Sequence, residues 1–211
     1  MNTQRVVPQK QPSIEKSPGF RKNTASYLTR MIVRLFARTP ITPNMITCLG
    51  FVLTLGAAAL IVTDHLFAAG FVVLIAGFFD MIDGALARNT NRVTQFGAVL
   101  DSTLDRLSEG ALMLSILFIY ASEQSTLGII IVSLALIGSL LVSYIRSRAE
   151  ALGIACEVGI FTRPERIVVL SLGLLLSRID YILIVTLGVI AFFSIITASQ
   201  RLLYVWQQTK K

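Results

Sequence analysis

DMIDGALARNTNRVTQFGAVLDSTLD, residues 80–105, sets four aspartates, two glycines and two arginines inside sequence otherwise suited to hydrocarbon. Ionisable groups in such surroundings are costly and mark function. Helical spacing sorts them. Asp80, Asp83, Gly84, Ala87 and Arg88 follow i, i+3, i+4, i+7, i+8 on one helix face, and Gly97, Asp101 and Asp105 follow i, i+4, i+8 on a second. The intervening NTNRVTQF is turn-like. Two antiparallel helices joined there would bring both aspartate pairs to the same end of a hairpin. Four carboxylates sharing one pocket repel strongly at low dielectric and call for cations. An oxygen-only set, with no Cys or His, suits a hard divalent ion, Mg²⁺ or Mn²⁺. Gly84 and Gly97 remove side chains where helices or a ligand must come close. Arg88, beside the metals, offers a fork for phosphate oxygens.

The rest of the chain is apolar. With 211 residues, 54% hydrophobic and 15% charged, and a mean hydropathy of +0.72, it is too apolar for an ordinary soluble domain and is expected to be an all-α integral membrane protein. The net charge of +7 belongs, by its placement, to anionic lipid and phosphate-bearing substrates rather than to nucleic acid. Cys48 and Cys156 have no ligand-like spacing and indicate neither a disulfide framework nor a zinc site. The single histidine, His65, falls in the loop after the first span, on the far side, which leaves aspartate for any general-base role.

Residues 1–19 carry Pro8, Pro12 and Pro18 and read as a mobile cytoplasmic tail without a secretory apolar region. In 20–39, Tyr27, Leu28, Met31, Ile32, Leu35 and Phe36 make an apolar face while Arg30, Arg34 and Arg38 recur every fourth residue. That pattern predicts an interfacial amphipathic helix on an anionic leaflet, although a solvated helix packed on protein has the same periodicity. The remainder, 40–211, forms a transmembrane catalytic domain of six spans: 41–63, 66–88, 95–122, 126–145, 160–177 and 181–200. In the fifth, Arg163, Glu165 and Arg166 form a wetted entry. Lys and Arg concentrate in the tail, the 89–94 turn, the 146–166 connection and the C-terminus, whereas the opposite loops hold only Arg178. This places both termini and the aspartates on the cytoplasmic side of the cell membrane.

The aspartate stretch resembles the signature of the CDP-alcohol phosphotransferases, D-x-x-D-G-x-x-A-R-x8-G-x3-D-x3-D. All eight fixed positions are met by Asp80, Asp83, Gly84, Ala87, Arg88, Gly97, Asp101 and Asp105. The resemblance implies an enzyme that moves a phosphatidyl-type group from a CDP-linked lipid to a hydroxyl and releases CMP, in a homodimer. It implies two metal ions held by Asp80, Asp83 and Asp101, with Asp105 as the base that also touches the second metal. TPITPNMIT, residues 39–47, resembles the family's segment before its first span. There Pro43 would supply a fixed φ, the free N–H groups of the helix start would hold a phosphate of the nucleotide, and the Asn44 side chain would assist; a plain helix cap reads the same way. Thr94 would donate to a phosphate, and the cytidine would lie near Gly84 and Ala87. The CDP-lipid site therefore comprises Pro43, Asn44, Met45, Ile46, Asp80, Asp83, Gly84, Ala87, Arg88, Thr94, Gly97 and Asp101.

Arg146, Arg148, Arg163, Arg166 and Arg201 gather at cytoplasmic helix ends. Each alone reads as an anchor to lipid head groups; together they suggest an anion pocket for an acceptor. SYIRSRAEALG followed by RPERI resembles the phosphatidylinositol-phosphate synthase branch, which implies a phosphorylated polyol acceptor, inositol phosphate foremost. Glycerol-3-phosphate or another small alcohol is the alternative within the family. A divalent-cation carrier using the same carboxylates is the alternative outside it.

Overall fold

The computed structural model describes residues 42–89 and 94–210, with the backbone alone at 85 and 87–89. The expected tail, 1–19, the amphipathic helix, 20–39, and most of the 89–94 turn lie outside the described residues. So do the side chains of Ala87 and Arg88.

Within them the chain forms six helices: α1, Pro43–Val62; α2, Leu66–Asn89; α3, Gln95–Ser122; α4, Thr126–Ala151; α5, Arg163–Leu175; and α6, Ile182–Thr209. Their starts are written in the sequence. The side chains of Thr42, Thr94 and Ser125 cap α1, α3 and α4 by accepting from Met45, Gly97 and Gly128. Thr162 and Glu165 close a reciprocal capping box on α5, followed by Pro164 in its first turn.

Three helices stop in the same way. His65 N–H donates to Leu60, Ser125 N–H to Tyr120 and Ile154 N–H to Ala149, each across a left-handed residue, Asp64, Gln124 or Gly153. Only the last of these is glycine, so two of the three stops had no glycine to announce them.

Helix neighbours close a ring in the order α1, α2, α5, α6, α4, α3. The ring is drawn tight by small residues: a methyl group added at Gly173 would stand 2.5 Å from Thr186, and one at Gly138 would stand 3.0 Å from Ser194. Ala57, Ile61, Val73, Leu112, Ile116, Leu170, Leu174 and Leu187 fill the interior. Large apolar side chains such as Val52, Phe118, Ile137 and Phe192 point outward, as a lipid-facing surface requires.

Among the described residues, four helical stretches are long and apolar enough to cross a membrane: Pro43–Val62, Leu66–Gly84, Thr126–Ala151 and Ile182–Thr209. The chain is accordingly a multi-pass, all-helical membrane protein. The two other expected spans fall short of that measure. The first half of α3 carries Asp101, Asp105, Arg106 and Glu109, and α5, at 13 residues, is only about 20 Å long against a hydrocarbon core of roughly 30 Å.

The expected hairpin brings Asp80 together with Asp101 and Asp105, but not by close helix packing. Among the described residues α2 and α3 hardly touch; α1 packs on both instead. Periodicity identified the faces carrying the aspartates, but those faces border a cavity, and like charges do not draw two helices together.

Candidate active site

The cavity opens at the end of the ring where α2 finishes and α3 begins. Its volume is about 720 Å³, and all six aspartate and glutamate residues that line it come from three helices: Asp80 and Asp83 on α2, Asp101, Asp105 and Glu109 on α3, and Glu150 on α4. Carboxylate oxygens of Asp80, Asp101 and Asp105 lie within 4.8 Å of one another. Asp83 is 4% exposed, and its Oδ2 has no hydrogen-bond partner. Three convergent carboxylates and a buried, partnerless carboxylate oxygen beside them fit a hard divalent cation, which takes several oxygen ligands. Asp80, Asp101 and Asp105 could hold such an ion.

One cation already touches the cluster. Arg163, the first residue of α5, places Nη1 2.5 Å from Asp80 Oδ2 and 2.8 Å from Asp105 Oδ1. The guanidinium thus ties α5 to α2 and α3 at the level of the carboxylates. The other arginines expected to gather do so unevenly. Arg166, one turn into α5, is 1% exposed and makes a two-pronged pair with Glu109, Nε to Oε1 at 2.6 Å and Nη2 to Oε2 at 2.9 Å. Arg201 on α6 also borders the cavity, yet its Nε donates to the Val158 carbonyl at 2.8 Å and its Nη1 to that of Val142 at 2.6 Å. Arg146 lines the rim, half exposed and paired with Glu150 at 2.8 Å. Arg148 does not line the cavity; two residues on from Arg146 along a helix, it points away from the face that does.

A second group forms where α1 and α3 start side by side. Thr94 accepts from Gly97 N–H at 2.9 Å, and a methyl group on Gly97 would meet Thr94 Oγ1 at 2.9 Å and Asn44 Oδ1 at 3.0 Å. Asn44, distant in sequence from Thr94 and Gly97, is therefore their neighbour. Pro43 and Ile46 are buried and Met45 is exposed. The amides at the start of α1 are less available than expected, because Thr42 O accepts from both Met45 and Ile46. Gly84 lies on the cavity wall.

Several residues of the site were not anticipated. Glu109 continues the series 97, 101, 105 by one more turn, so the same periodicity contained it. Arg106 borders the cavity as well, donating to the Ser102 carbonyl at 2.5 Å and to the Ser147 hydroxyl on α4 at 2.6 Å. Its partner across the ring had no signal in the sequence. A smaller, largely apolar cavity of about 270 Å³ adjoins the first, sharing Asp80, Met81, Asp105, Arg163 and Pro164 and otherwise walled by residues such as Phe51, Val73, Leu104 and Ile167.

Comparison with known proteins agrees with this arrangement. The family model for CDP-alcohol phosphatidyltransferases matches residues 40–206. An archaetidylinositol phosphate synthase of Methanothermobacter thermautotrophicus is 37% identical over 188 residues, covering 87% of this chain and 92% of that protein. A phosphatidylinositol phosphate synthase of Mycobacterium tuberculosis is 36% identical over 200 residues, 92% of each. The crystal structure of the M. tuberculosis phosphatidylinositol phosphate synthase with CDP-DAG bound superposes with a TM-score of 0.77 at 36% identity, covering 85% of this chain and 94% of that one. The same enzyme in complex with manganese and citrate gives 0.76 at 37% identity, covering 84% and 88%.

Proposed function

Because the chain belongs to the CDP-alcohol phosphatidyltransferase family, we propose that this enzyme transfers a phosphatidyl-type group from a CDP-linked lipid to a hydroxyl of inositol phosphate, releasing CMP. The observation that carries the reading is the division of one cavity: convergent carboxylates on α2 and α3 face arginines contributed by α4, α5 and α6.

In this reading Asp80, Asp83, Asp101 and Asp105 hold two Mg²⁺ or Mn²⁺ ions, which when bound neutralise the donor's diphosphate and the charge developing on its leaving oxygen. The convergence of three of these carboxylates and the bare Oδ2 of the fourth support it. Asn44, Thr94 and Gly97, with the first turn of α1, Gly84, Ala87 and Arg88, receive the nucleotide; the proximity of Asn44 and Thr94 to Gly97 is the support. The hydroxyl of Thr94 uses its oxygen for the helix cap, leaving its hydrogen to donate.

Asp105 takes the proton of the acceptor hydroxyl, whose oxygen attacks the phosphorus bearing the lipid. The bond between that phosphorus and the oxygen shared with CMP breaks, and CMP leaves with the electron pair. Arg166 and Arg146 bind the acceptor phosphate. A dianionic acceptor needs cations of its own beside four carboxylates and a diphosphate, and these two line the same cavity.

The site then faces the cytoplasm, since the basic connections cluster at its end. All six helices cross the membrane in this reading, since α3 and α5 belong to the same closed ring as the four apolar ones. A homodimer, and contact of 20–39 with anionic lipid, complete it.

The deciding experiment supplies purified enzyme in lipid vesicles with labelled CDP-diacylglycerol and, in competition, inositol phosphate, inositol and glycerol-3-phosphate. Label should pass mainly to inositol phosphate, and a chelator should stop it. Preference for glycerol-3-phosphate or unphosphorylated inositol would refute the acceptor assignment, and turnover surviving chelation would refute the metal assignment.

A further inference from the structure

Glu109 and Arg166 are two charges placed almost wholly out of solvent, 2% and 1% exposed. Such a pair is a weak source of stability, because an apolar pair of similar volume often serves as well. Its geometry offers something an apolar pair does not. Glu109 engages Nε and Nη2 of the guanidinium, at 2.6 and 2.9 Å, and so fixes its plane. Nη1 is left buried without a partner on a residue that lines the cavity. A buried donor left unpaired is costly, and the group that satisfies it must come from the cavity.

The neighbouring cations differ in this respect. Arg201 is spent on two backbone carbonyls and Arg106 on Ser102 and Ser147, while Arg146, paired with Glu150 through Nε, is half exposed at the rim and has no buried donor to satisfy. Arg163 also has a bare nitrogen, Nε, but its Nη1 faces the aspartates that repel an anion. Arg166 is neutralised by a carboxylate on one edge and free on the other, and a rigid fork of this kind suits a phosphate oxygen. Glu109 stands one helical turn from Asp105 and two from Asp101, so one face of α3 would set both the reacting hydroxyl's base and the direction of the acceptor's anchor.

We propose that Glu109 is a positioning residue for acceptor binding: it holds Arg166 so that Nη1 is aimed at the acceptor's phosphate. The assignment rests on the proposed reading that the acceptor is phosphorylated, and it deepens that reading by naming what orients the phosphate-binding group.

The test is a double-mutant cycle with Glu109→Gln, Arg166→Gln and the double variant, together with Glu109→Asp, which keeps the buried charge and so protects the fold. In each, KM is measured separately for the CDP-lipid and for inositol phosphate, and inorganic phosphate is titrated as an inhibitor competing with the acceptor. Glu109→Gln should raise the acceptor KM and the phosphate inhibition constant by about tenfold or more, as expected for loss of a charge-assisted bond. The CDP-lipid KM should stay within about twofold, and Glu109→Gln should add little in the Arg166→Gln background. Glu109→Asp should show the same selectivity in weaker form. Equal shifts in both KM values, fully additive effects, or phosphate inhibition unchanged in both Glu109 variants would overturn the proposal. If wild-type enzyme uses unphosphorylated inositol as well as inositol phosphate, the acceptor reading fails instead, whereas the phosphate titration still decides whether Glu109 orients Arg166 toward an anion.

Discussion

Gly97→Ala is the smallest change that tests the nucleotide side of the site. The added methyl group would lie 2.9 Å from Thr94 Oγ1 and 3.0 Å from Asn44 Oδ1, both well inside an ordinary carbon–oxygen contact of roughly 3.3 Å. One of the two must give way. If Thr94 rotates, α3 loses the cap bond to Gly97 N–H at 2.9 Å, a loss of about 0.5–2 kcal/mol. If Asn44 swings aside, the proposed nucleotide contact at the start of α1 is displaced. The first movement should lower the unfolding midpoint; the second should raise the CDP-lipid KM by roughly two- to tenfold, the factor equivalent to one hydrogen bond of about 0.5–1.5 kcal/mol, while the acceptor KM changes little. The assay is steady-state kinetics in vesicles with each substrate varied at saturating levels of the other. A Gly97→Ala enzyme with a normal CDP-lipid KM would show that the neighbourhood of Asn44, Thr94 and Gly97 is structural only.

Asp105→Asn should retain CDP-lipid binding yet lose about 10²- to 10⁴-fold in turnover, the usual cost of removing a general base; collapse of nucleotide binding would make Asp105 chiefly a metal ligand. Asp80→Asn and Asp101→Asn should weaken Mn²⁺ binding, read directly by titration of the purified protein, and a wild-type affinity in both would remove them from the metal site. Arg201→Ala should lower the thermal unfolding midpoint in detergent, since two bonds from a charged donor are lost at about 1.5–3 kcal/mol each. A selective rise in acceptor KM at an unchanged midpoint would instead make Arg201 an acceptor ligand.

The carboxylate cluster was legible because helical spacing is a local property: 80 with 83, and 101 with 105, each share a face whatever surrounds the helix. What those faces meet is not local. The hairpin does bring Asp80 to Asp101 and Asp105, but among the described residues α2 and α3 hardly touch and α1 takes the contacts instead. Arginines show the same limit. Arg163 and Arg201 both reach the cavity as expected, but their partners lie 83 residues away at Asp80, and 43 and 59 residues away at Val158 and Val142, separations at which no pattern in the sequence operates. Glu109 was within reach of the periodicity that identified Asp101 and Asp105, but a single glutamate after the motif resembles an ordinary surface charge until its partner on α5 is seen. The outlying position of Arg148 follows from the continuation of α4 as a regular helix through the basic segment, which puts Ser143, Arg146, Ser147 and Glu150 on the cavity face and Arg148 off it.

The start of α5 has a consequence for the segment that precedes it. Arg163, the first residue of α5, meets Asp80, which lies nine residues before the end of α2. Residues 152–162 lead to that point as non-helical backbone, whose buried amides and carbonyls need partners. The side chains of α6 stand in for solvent there: Thr197 accepts from Phe161 N–H at 3.1 Å, and Arg201 donates to the Val158 carbonyl. Gly159, at φ +132, is the close approach that admits them, since a methyl group there would lie 2.6 Å from Thr197. Because these partners are covalently part of the protein, substrates and products can exchange through the cavity while this segment keeps its hydrogen bonds.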